Sequence, residues 1–432
     1  MGRWKRACVP LEHRNGESRA ATFAYLAAMS ALVRVPTQEE LPVLARLQSA
    51  AYAMDAPSWE RWQHVLALGD ANDAGLRVIE HEGELAGGLG LYRFGQFWGG
   101  RRVNALGCSG VAIAPELRGR GLAATLMRET LCEAARSRAI AILYPSTLHL
   151  YRSLGFESAG LTLKMEAPID ALMHGDANLR MTRFDALKLT DESSSEYAQV
   201  RAMSEARGGH WNGTLARNAS IWMRVAAPKD IAVHAFFFGT KDAPEGYVIY
   251  SQSSPEPLHF KITVRDYVFI TPRAASRWAA FLHTQRALAD RVLWASGGHD
   301  PMLAMLAAPK AKVVEHTQWM LRILDVEEAL TTRGYALNGE ATFEITDALL
   351  PHNEGPVHLR VEGGVGYLRS AHPGAHPRLD IRALSALYSG FQSTESLRLM
   401  GLVTCENEEA VQQLQSLARL FVSHPSWLPD FF

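Results

Sequence analysis

The chain has 432 residues, of which 47% are hydrophobic and 21% charged, and its formal net charge is -1 at pH 7. This length predicts about three domains, each large enough to bury a core, because domains commonly hold ~100–200 residues. The near-zero net charge argues against a general nucleic-acid-binding protein and against a polybasic membrane-surface protein. The four cysteines lie far apart without a Cys-x-x-Cys pair, so no zinc knuckle is indicated, and we expect a cytoplasmic protein.

Residues 1–30 combine an early basic cluster with a later apolar run, a combination that secretory signals also show. A polar interruption from His13 to Arg19 and the lack of a clear cleavage site favour a poorly ordered extension upstream of Met29. No other stretch reaches the ~18 uninterrupted apolar residues that a membrane span needs.

The first domain is expected over residues 31–165. After a strand at Val33–Val35, Thr37 is a predicted N-cap for a helix running to Tyr52, with Glu40 completing a capping box. A hairpin is predicted around Glu82-Gly-Glu84, and Val103–Ala114 is the next expected strand. An apolar stripe then predicts a helix from Leu122, followed by a buried strand at Ala139–Leu143 and a brief helix capped by Ser146.

The most informative motif joins the predicted strand to the predicted helix, at Arg118-Gly-Arg-Gly-Leu-Ala123. Backbone N–H groups at a helix start bind anions, and Gly119 and Gly121 carry no Cβ to block a phosphate. No Gly-x-Gly-x-x-Gly follows the strand and no Gly-Lys-Ser/Thr closes the loop, so neither a dinucleotide fingerprint nor a Walker loop is indicated. The Arg-x-x-Gly-x-Ala spacing is that of an acyl-CoA loop, although a basic glycine-rich turn in isolation is more often only a solvated turn.

This loop and the later Leu150-Tyr-Arg-Ser-Leu-Gly-Phe156 together resemble the GNAT acetyltransferase superfamily. The resemblance implies acetyl-CoA as co-substrate. The cofactor-binding residues it implies are Val111, Ala112 and Ile113 for the pantetheine arm, Arg118, Gly119, Arg120, Gly121, Leu122, Ala123 and Ala124 for the pyrophosphate, and also Ser146 and Thr147. Tyr151 is the implied general acid, because a phenol with a pKa near 10 can protonate the departing thiolate. The alternative is a core tyrosine whose hydroxyl only satisfies a backbone group.

The middle domain is expected over residues 166–325 and contains a weak internal repeat. Val268–Leu282 can be aligned with Val111–Thr125, which places Pro272 on Pro115 and Trp278 on Gly121. Both loop glycines are replaced, one by Ser276 and the other by Trp278. We therefore expect a degenerate GNAT-like domain in which side chains occupy the phosphate space and no CoA binds.

The last domain is expected over residues 326–432. It combines a capped helix at Asp325–Arg333, strands at Ala341–Ile345, Pro356–Val361 and Gly366–Arg369, and helices at Asp380–Tyr388 and Glu408–Phe421. The nearby histidines form no His-x-x-x-His pair, so we predict no metal site; they are His352, His358, His372 and His376.

This last arrangement resembles a sterol carrier protein type fold, and the whole chain from residue 31 resembles the Eis (enhanced intracellular survival) family of acetyltransferases. The resemblance implies an α/β (α+β) protein with tandem GNAT-like domains, each with a mixed central sheet, and a sterol carrier protein type domain at the C-terminus. It also implies a homo-oligomer, in that family a hexamer, and a small polycationic amine such as an aminoglycoside as acceptor. No nucleic acid or membrane partner is expected.

In the same family resemblance, the terminal carboxylate of Phe432 is carried over as the general base. An α-carboxyl with a pKa near 3.5 is a poor base until burial raises its pKa, and Trp427, Phe431 and Phe432 are the apolar side chains available for that burial. Asp430, Asp55 and Glu60 are the acids available to a cationic acceptor. Trp59 and Trp62 either line an acceptor pocket or fill the core.

Two other functions are compatible with these motifs. One is acetylation of exposed lysines on a protein. The other is a non-catalytic carrier in which the last domain binds a lipid or small molecule and the acyl-CoA loop is vestigial. Retention of both Gly119 and Gly121 argues against a vestigial loop.

Overall fold

The computed structural model describes residues 31–69, 75–256, 259–371, 374–422 and 426–432. The predicted N-terminal extension and His372 lie outside these residues. The chain forms two compact units: the first ends at Ala159 and resumes at Trp319, and the second runs from Gly160 to Gln318 and includes the tail that ends at Phe432.

The N-terminal part of the first unit is a mixed sheet with helices. Antiparallel pairing joins β1 (Ala31–Arg34), β2 (Leu76–His81), β3 (Glu84–Trp98) and β4 (Arg101–Ile113), and β4 then pairs in parallel with β5 (Ile140–Leu143). The helices are α1 (Leu41–Tyr52), α2 (Ala56–Ala67), α3 (Leu122–Ala134) and α4 (Leu148–Ser153). Leu126, Met127 and Leu131 of α3 are fully buried in the core of this sheet.

Local sequence signals explain most of these elements. The predicted hairpin is confirmed, because Glu82 and Gly83 both have positive φ, at 55° and 82°, in the tight turn between β2 and β3. The capping interaction is also present: the Thr37 backbone N–H donates to the Glu40 carboxylate at 2.7 Å. Helix α2 was not predicted, although Asp55 caps it by accepting from the Ser58 backbone N–H at 2.8 Å.

The second unit also combines mixed-sheet strands with helices. Its sheet strands are β6 (Glu157–Pro168, whose residues from Gly160 belong here), β7 (Met181–Phe184), β9 (Val233–Gly239), β10 (Pro244–Glu256), β11 (His259–Phe269), β12 (Ala289–Ser296) and the first part of β13 (Lys312–Ile323), and the two-residue strand β8 (Leu215–Ala216) does not pair with them. Its helices are α5 (Ser195–Gly208), α6 (Ala219–Ala226), α7 (Pro272–Gln285) and α8 (Pro301–Ala304).

The internal repeat has a structural counterpart. Strand β11, helix α7 and strand β12 repeat the order β4, α3, β5, and in each case the two strands pair in parallel. The predicted role of Trp278 is wrong: it lies inside α7 and is fully buried in the core of its sheet, not in a loop. Helix α7 begins at Pro272, so the glycine-rich loop of the first copy has become helix.

The C-terminal part of the first unit is a five-stranded sheet with helices. Its strands are β14 (Gly339–Thr346), β15 (Gly355–Glu362), β16 (Val365–Arg369), β17 (Arg378–Asp380) and β18 (Val403–Thr404), and its helices are α9 (Val326–Thr332), α10 (Ile381–Ser389), α11 (Thr394–Leu399) and α12 (Glu408–Leu420). Met320–Ile323 of β13 pair with β5. Although the sequence groups the tail with this domain, residues 426–432 belong to the second unit.

Candidate active site

The acyl-CoA loop in the first unit presents an uncapped helix start. After a 3-10 turn at Pro115–Leu117, Gly119 and Gly121 each have a φ of 78°, a left-handed conformation that disfavours other residues. Gly121 is the N-cap of α3 and has no side chain with which to cap it. A Cβ built at Gly119 meets no atom within 4 Å. No side chain caps the first N–H groups of α3, so these groups can donate to an anion.

The residues around this helix start divide into exposed and anchoring positions. Arg118, Gly119, Arg120 and Gly121 are exposed, whereas Leu122 is 1% exposed and packs in the core; Ala123 and Ala124 are half-buried. The two arginines therefore add exposed positive charge beside the N–H groups. This combination suits the phosphates of CoA.

Strand β4 continues beyond its partner at the entrance to the loop. Its pairing with β5 ends at Cys108, opposite Leu143, while β4 runs on to Ile113. A register shift against β3 occurs at the same place, where Gly110 has a φ of 61°. The pairing with β3 resumes at Ala112, so within the described residues the backbone groups of β4 beyond Cys108 have no strand partner on the β5 side.

The three strand residues predicted for the pantetheine arm are not equivalent in the structure. The Val111 carbonyl accepts a hydrogen bond from the Tyr52 hydroxyl at 2.8 Å, and the Ile113 carbonyl accepts one from Arg118 Nε at 3.3 Å. Ala112 pairs with Gly88 of β3. Because backbone groups alternate in direction along a strand, Val111 and Ile113 share the side away from β3.

Tyr151 lies in α4 within a tightly built turn. Its ring packs edge-on against Phe156, with ring centroids 6.0 Å apart, and the Phe156 backbone N–H donates to the Tyr151 carbonyl at 3.1 Å. Gly155 has a φ of 87°, and a Cβ there would lie 2.6 Å from Cζ of Arg322. The Tyr-x-x-x-Gly-Phe pattern therefore has a steric basis in this fold.

Burial raises the pKa of Tyr151 well above its ordinary value of 10, and the nearby Tyr52 hydroxyl and Cys108 thiol act in the same direction. The side chain is 4% exposed, and its hydroxyl forms a hydrogen bond with Ser146. Burial also raises the pKa of the Cys108 thiol to about 12. Tyr151 is therefore a neutral phenol at physiological pH, the form that a proton donor requires.

The structure corrects the predicted cap of α4. Thr147, not Ser146, is the N-cap residue, and no side-chain capping hydrogen bond forms there. Ser146 instead forms a side-chain hydrogen bond with the Tyr151 hydroxyl. Both residues remain predicted members of the CoA site.

The aromatic residues of α1 and α2 divide into core and surface. Trp59 and Trp62 are 6% and 8% exposed, and they pack edge-on with centroids 5.0 Å apart. Both stand within about 3 Å of where a Cβ on Gly110 would lie, which favours the core-filling interpretation. Tyr52, whose ring centroid is 5.3 Å from that of Trp59, is 38% exposed. Sequence reasoning gave Tyr52 no role; Gly110 inside a strand is the signal that points to the bulge beside it.

Two of the three acids proposed for a cationic acceptor already have protein partners. Asp55 accepts from both the backbone N–H and the hydroxyl of Ser58. Asp430 is 6% exposed and forms an ion pair with Arg217 at 2.8 Å. Glu60 lies at a half-buried position on α2.

The terminal residue belongs to a different unit from Tyr151: Phe432 lies in the second unit and Tyr151 in the first. Phe432 is 5% exposed and Trp427 1%, in line with the expected apolar surroundings of the terminus, whereas Phe431 is 62% exposed and does not contribute to them.

Within the described residues, no group of three or more His, Cys, Asp or Glu side chains is arranged to hold a metal ion. His358 instead forms a hydrogen bond with Thr342 at 2.9 Å. None of the helices in the described part of the chain is long and apolar enough to cross a membrane.

Family models account for each of the three regions. Residues 33–159 match an acetyltransferase (GNAT) domain, residues 213–323 match a second acetyltransferase (GNAT) domain, and residues 326–429 match a sterol carrier protein domain. The chain is a GNAT-type N-acetyltransferase. Enzymes of the GNAT type generally use acetyl-CoA.

Relatives and solved structures agree with this assignment. An uncharacterised N-acetyltransferase of Streptomyces griseus is 27% identical over 358 residues, which cover 77% of this chain and 83% of that protein. A GCN5-related N-acetyltransferase from Anabaena variabilis has a TM-score of 0.84 at 29% identity, covering 93% of this chain and 100% of that chain. Eis1 from Mycobacterium abscessus has the same fold, with a TM-score of 0.72 at 21% identity over 93% of this chain and 100% of that chain.

Proposed function

We propose that this GNAT-type enzyme transfers the acetyl group of acetyl-CoA to a primary amine of a small polycationic molecule, with an aminoglycoside as the first candidate. Tyr151 is the proposed general acid and the Phe432 terminal carboxylate the proposed general base. The observation that carries the proposal is the uncapped start of α3 next to the free side of β4, in the same unit as the neutral Tyr151 phenol.

The proposed reaction is a direct transfer. The Phe432 carboxylate takes a proton from the acceptor ammonium, and the freed nitrogen attacks the thioester carbonyl. A C–N bond forms, the C–S bond of the tetrahedral intermediate breaks, and the CoA thiolate takes the phenolic proton of Tyr151. The second proton lost by the amide nitrogen restores the Tyr151 phenol, and the Phe432 carboxylic acid returns its proton to solvent. The hydrogen bond from Ser146 holds the Tyr151 hydroxyl in one orientation for this step.

The proposed cofactor site uses the residues that the motif predicts. The N–H groups of Leu122, Ala123 and Ala124, beside the exposed Arg118 and Arg120, would hold the pyrophosphate. The backbone groups of Val111 and Ile113 on the side of β4 without a strand partner would pair with the pantetheine amides, with the N–H groups as donors because both carbonyls already accept hydrogen bonds within the protein. The hydroxyl of Tyr52 fixes the Val111 carbonyl at this edge.

An amine panel tests the proposed acceptor, with release of free CoA as the readout. The panel contains an aminoglycoside, a linear polyamine, an arylalkyl monoamine and a lysine peptide. We expect the highest kcat/KM with the aminoglycoside. Turnover of the lysine peptide alone would assign the enzyme to protein acetylation, and no turnover of any amine would contradict the proposal.

The terminal base is tested by changing the carboxylate alone. Cleavage of an intein fusion with ammonia gives the chain with a Phe432 carboxamide, and hydrolysis of the same fusion gives the native carboxylate as the matched control. General base catalysis typically contributes 10²–10⁴-fold, so we expect kcat to fall by about that factor with unchanged acetyl-CoA affinity. Equal kcat values for amide and acid would remove Phe432 from the mechanism.

The same family resemblance supports a homo-oligomer, hexameric in solution, as part of the proposal. Light scattering coupled to size-exclusion chromatography measures the mass directly. A mass of one chain across a range of concentrations would contradict it.

A further inference from the structure

The C-terminal tail is attached to the second unit at successive residues. The Trp427 backbone N–H donates to the Asn212 carbonyl at 2.7 Å, and the Thr162 hydroxyl donates to the Leu428 carbonyl at 2.7 Å. Arg224 Nε donates to the Phe431 carbonyl at 3.0 Å. Trp427 and Leu428 are almost fully buried. The tail is therefore a fixed part of this unit up to the residue before the terminus.

Asp430 adds a charged attachment to these hydrogen bonds. Its carboxylate accepts from Arg217 Nε at 2.8 Å, and both side chains are nearly inaccessible to solvent, at 4% and 1% exposure. The guanidinium of Arg217 also lies over the ring of Trp222, 4.6 Å from its centroid. An exposed ion pair contributes little to the stability of a fold. The pair of Asp430 and Arg217 is buried, so that estimate does not apply to it.

Arg217 connects Asp430 to a larger buried network. Arg217 also pairs with Asp266, and Asp266 in turn accepts from Arg207 Nη1 at 2.7 Å and from the Tyr247 hydroxyl at 2.6 Å. Two cations and two anions thus compensate one another in the interior. Removing one member leaves a buried charge without its partner, which strongly disfavours the packed arrangement. The best-attested use of such groups is to select one register or arrangement of a segment.

We propose that Asp430 and Arg217 form a positioning pair that holds the last residues in a single arrangement, so that the Phe432 carboxylate reaches the acceptor amine in one geometry. This inference rests on the proposed role of Phe432 as the base. It also removes Asp430 from the acids that recognise a cationic acceptor, because its charge is used by Arg217. A displacement of about 1 Å in a catalytic group can cost ~10²-fold in rate, so the tail needs such a constraint.

The test compares Asp430→Asn with a matched loss of a buried carboxylate elsewhere in the unit. Glu166→Gln is the control: Glu166 is 5% exposed, and its carboxylate pairs with Lys261, Arg291 and Lys312. We expect Asp430→Asn to lower kcat by about 10- to 100-fold with an unchanged KM for acetyl-CoA. Glu166→Gln should leave kcat within about twofold of the wild-type enzyme.

A fluorine label on the ring of Phe432 reports on the tail without reference to activity. We expect a single ¹⁹F resonance in the wild-type and Glu166→Gln proteins, and a broadened or divided resonance in Asp430→Asn. An unchanged resonance in Asp430→Asn would overturn the positioning role, whatever its kcat. A divided resonance with wild-type kcat would support the attachment and contradict the proposed base instead.

If Asp430→Asn does not fold, Thr162→Val removes the milder attachment at Leu428 and should change the resonance and kcat in the same directions by smaller factors. A Thr162→Val protein with wild-type resonance and kcat would count against the inference.

Discussion

The two GNAT-like domains begin their corresponding helices in opposite ways. Helix α3 follows a glycine loop and has no side-chain cap, whereas Thr271 caps α7 by accepting from the Ala274 N–H at 3.2 Å. The Thr271 hydroxyl in turn donates to the Glu245 carboxylate at 2.6 Å. A hydroxyl and a carboxylate thus occupy the position where an anion would bind in the second domain, and both disfavour a phosphate.

The difference shows how an anion site can be lost by extension of a helix. In the first domain Pro115 opens only a 3-10 turn that ends at Leu117, and the α-helix begins later, at Leu122. In the second domain the aligned Pro272 is already the first residue of α7. The residues of the second domain that align with Gly119 and Gly121, Ser276 and Trp278, therefore lie inside α7, and the Trp278 side chain is buried in the core. The Thr271 cap satisfies the Ala274 N–H, which is then not available to a ligand.

Replacing a buried phenol in each domain gives the largest expected difference. Tyr151→Phe should reduce kcat by about 10²–10⁴-fold with unchanged acetyl-CoA binding, because it removes the proton donor and retains the ring. Tyr267, whose hydroxyl donates to Asp300 at 2.8 Å, is the matched control. Tyr267→Phe should lower the unfolding midpoint and leave kcat within about twofold. Steady-state kinetics gives kcat for both variants, and calorimetric titration gives their affinity for CoA. An unchanged kcat in Tyr151→Phe would contradict the assignment of Tyr151 as the general acid.

A smaller effect is expected from adding one methyl group to the loop. Gly119 and the hairpin residue Gly83 have φ angles of 78° and 82°, and a Cβ on either meets no atom within 4 Å. Both changes to Ala should therefore destabilise the fold similarly, by about 1 kcal/mol. Only Gly119→Ala should weaken acetyl-CoA binding, by about tenfold, because its methyl group approaches the phosphates. Equal CoA affinities in the two variants would place the pyrophosphate elsewhere.

Removing the cap of α7 should affect stability alone. Thr271→Ala exposes an unsatisfied N–H and should cost about 1 kcal/mol, which denaturant titration can measure. Acetyl-CoA affinity and kcat should not change, since this helix start faces Glu245 and holds no cofactor in the proposal. A loss of CoA affinity would contradict the assignment of the cofactor to the first domain.

The smallest expected effect concerns pH. Because burial raises the pKa of Tyr151 above its ordinary value of 10, the protonated, active form persists throughout the range below that value. The value of kcat at saturating substrate should therefore stay level on the alkaline side from about pH 8 to about pH 10. A tenfold decline in kcat per pH unit that starts near pH 9, while circular dichroism shows that the protein is still folded, would indicate that the general acid is a different or less buried group.

Much of the first domain could be predicted from the sequence because its signals are local. The glycines at 119, 121 and 155 mark backbone conformations that other residues disfavour, and the alternating and helical apolar patterns give the strands and α3. Helix α2 was not predicted, although its buried residues Trp59, Trp62 and Leu66 follow the helical i, i+3, i+7 spacing and Asp55 caps its start. Tyr52 was missed because its partner, the Val111 carbonyl, is distant in sequence.

The sequence by itself determined the order of the three domains, the glycine loop before α3 and the Tyr-Gly-Phe turn, since each depends on spacing between near neighbours. Only the tertiary structure decided which groups those residues meet: Ser146 at Tyr151, Arg217 at Asp430, and the second unit as the place of the tail. These contacts join residues far apart in the chain, and burial fixes their charges and pKa values. Sequence spacing carries no information about that burial.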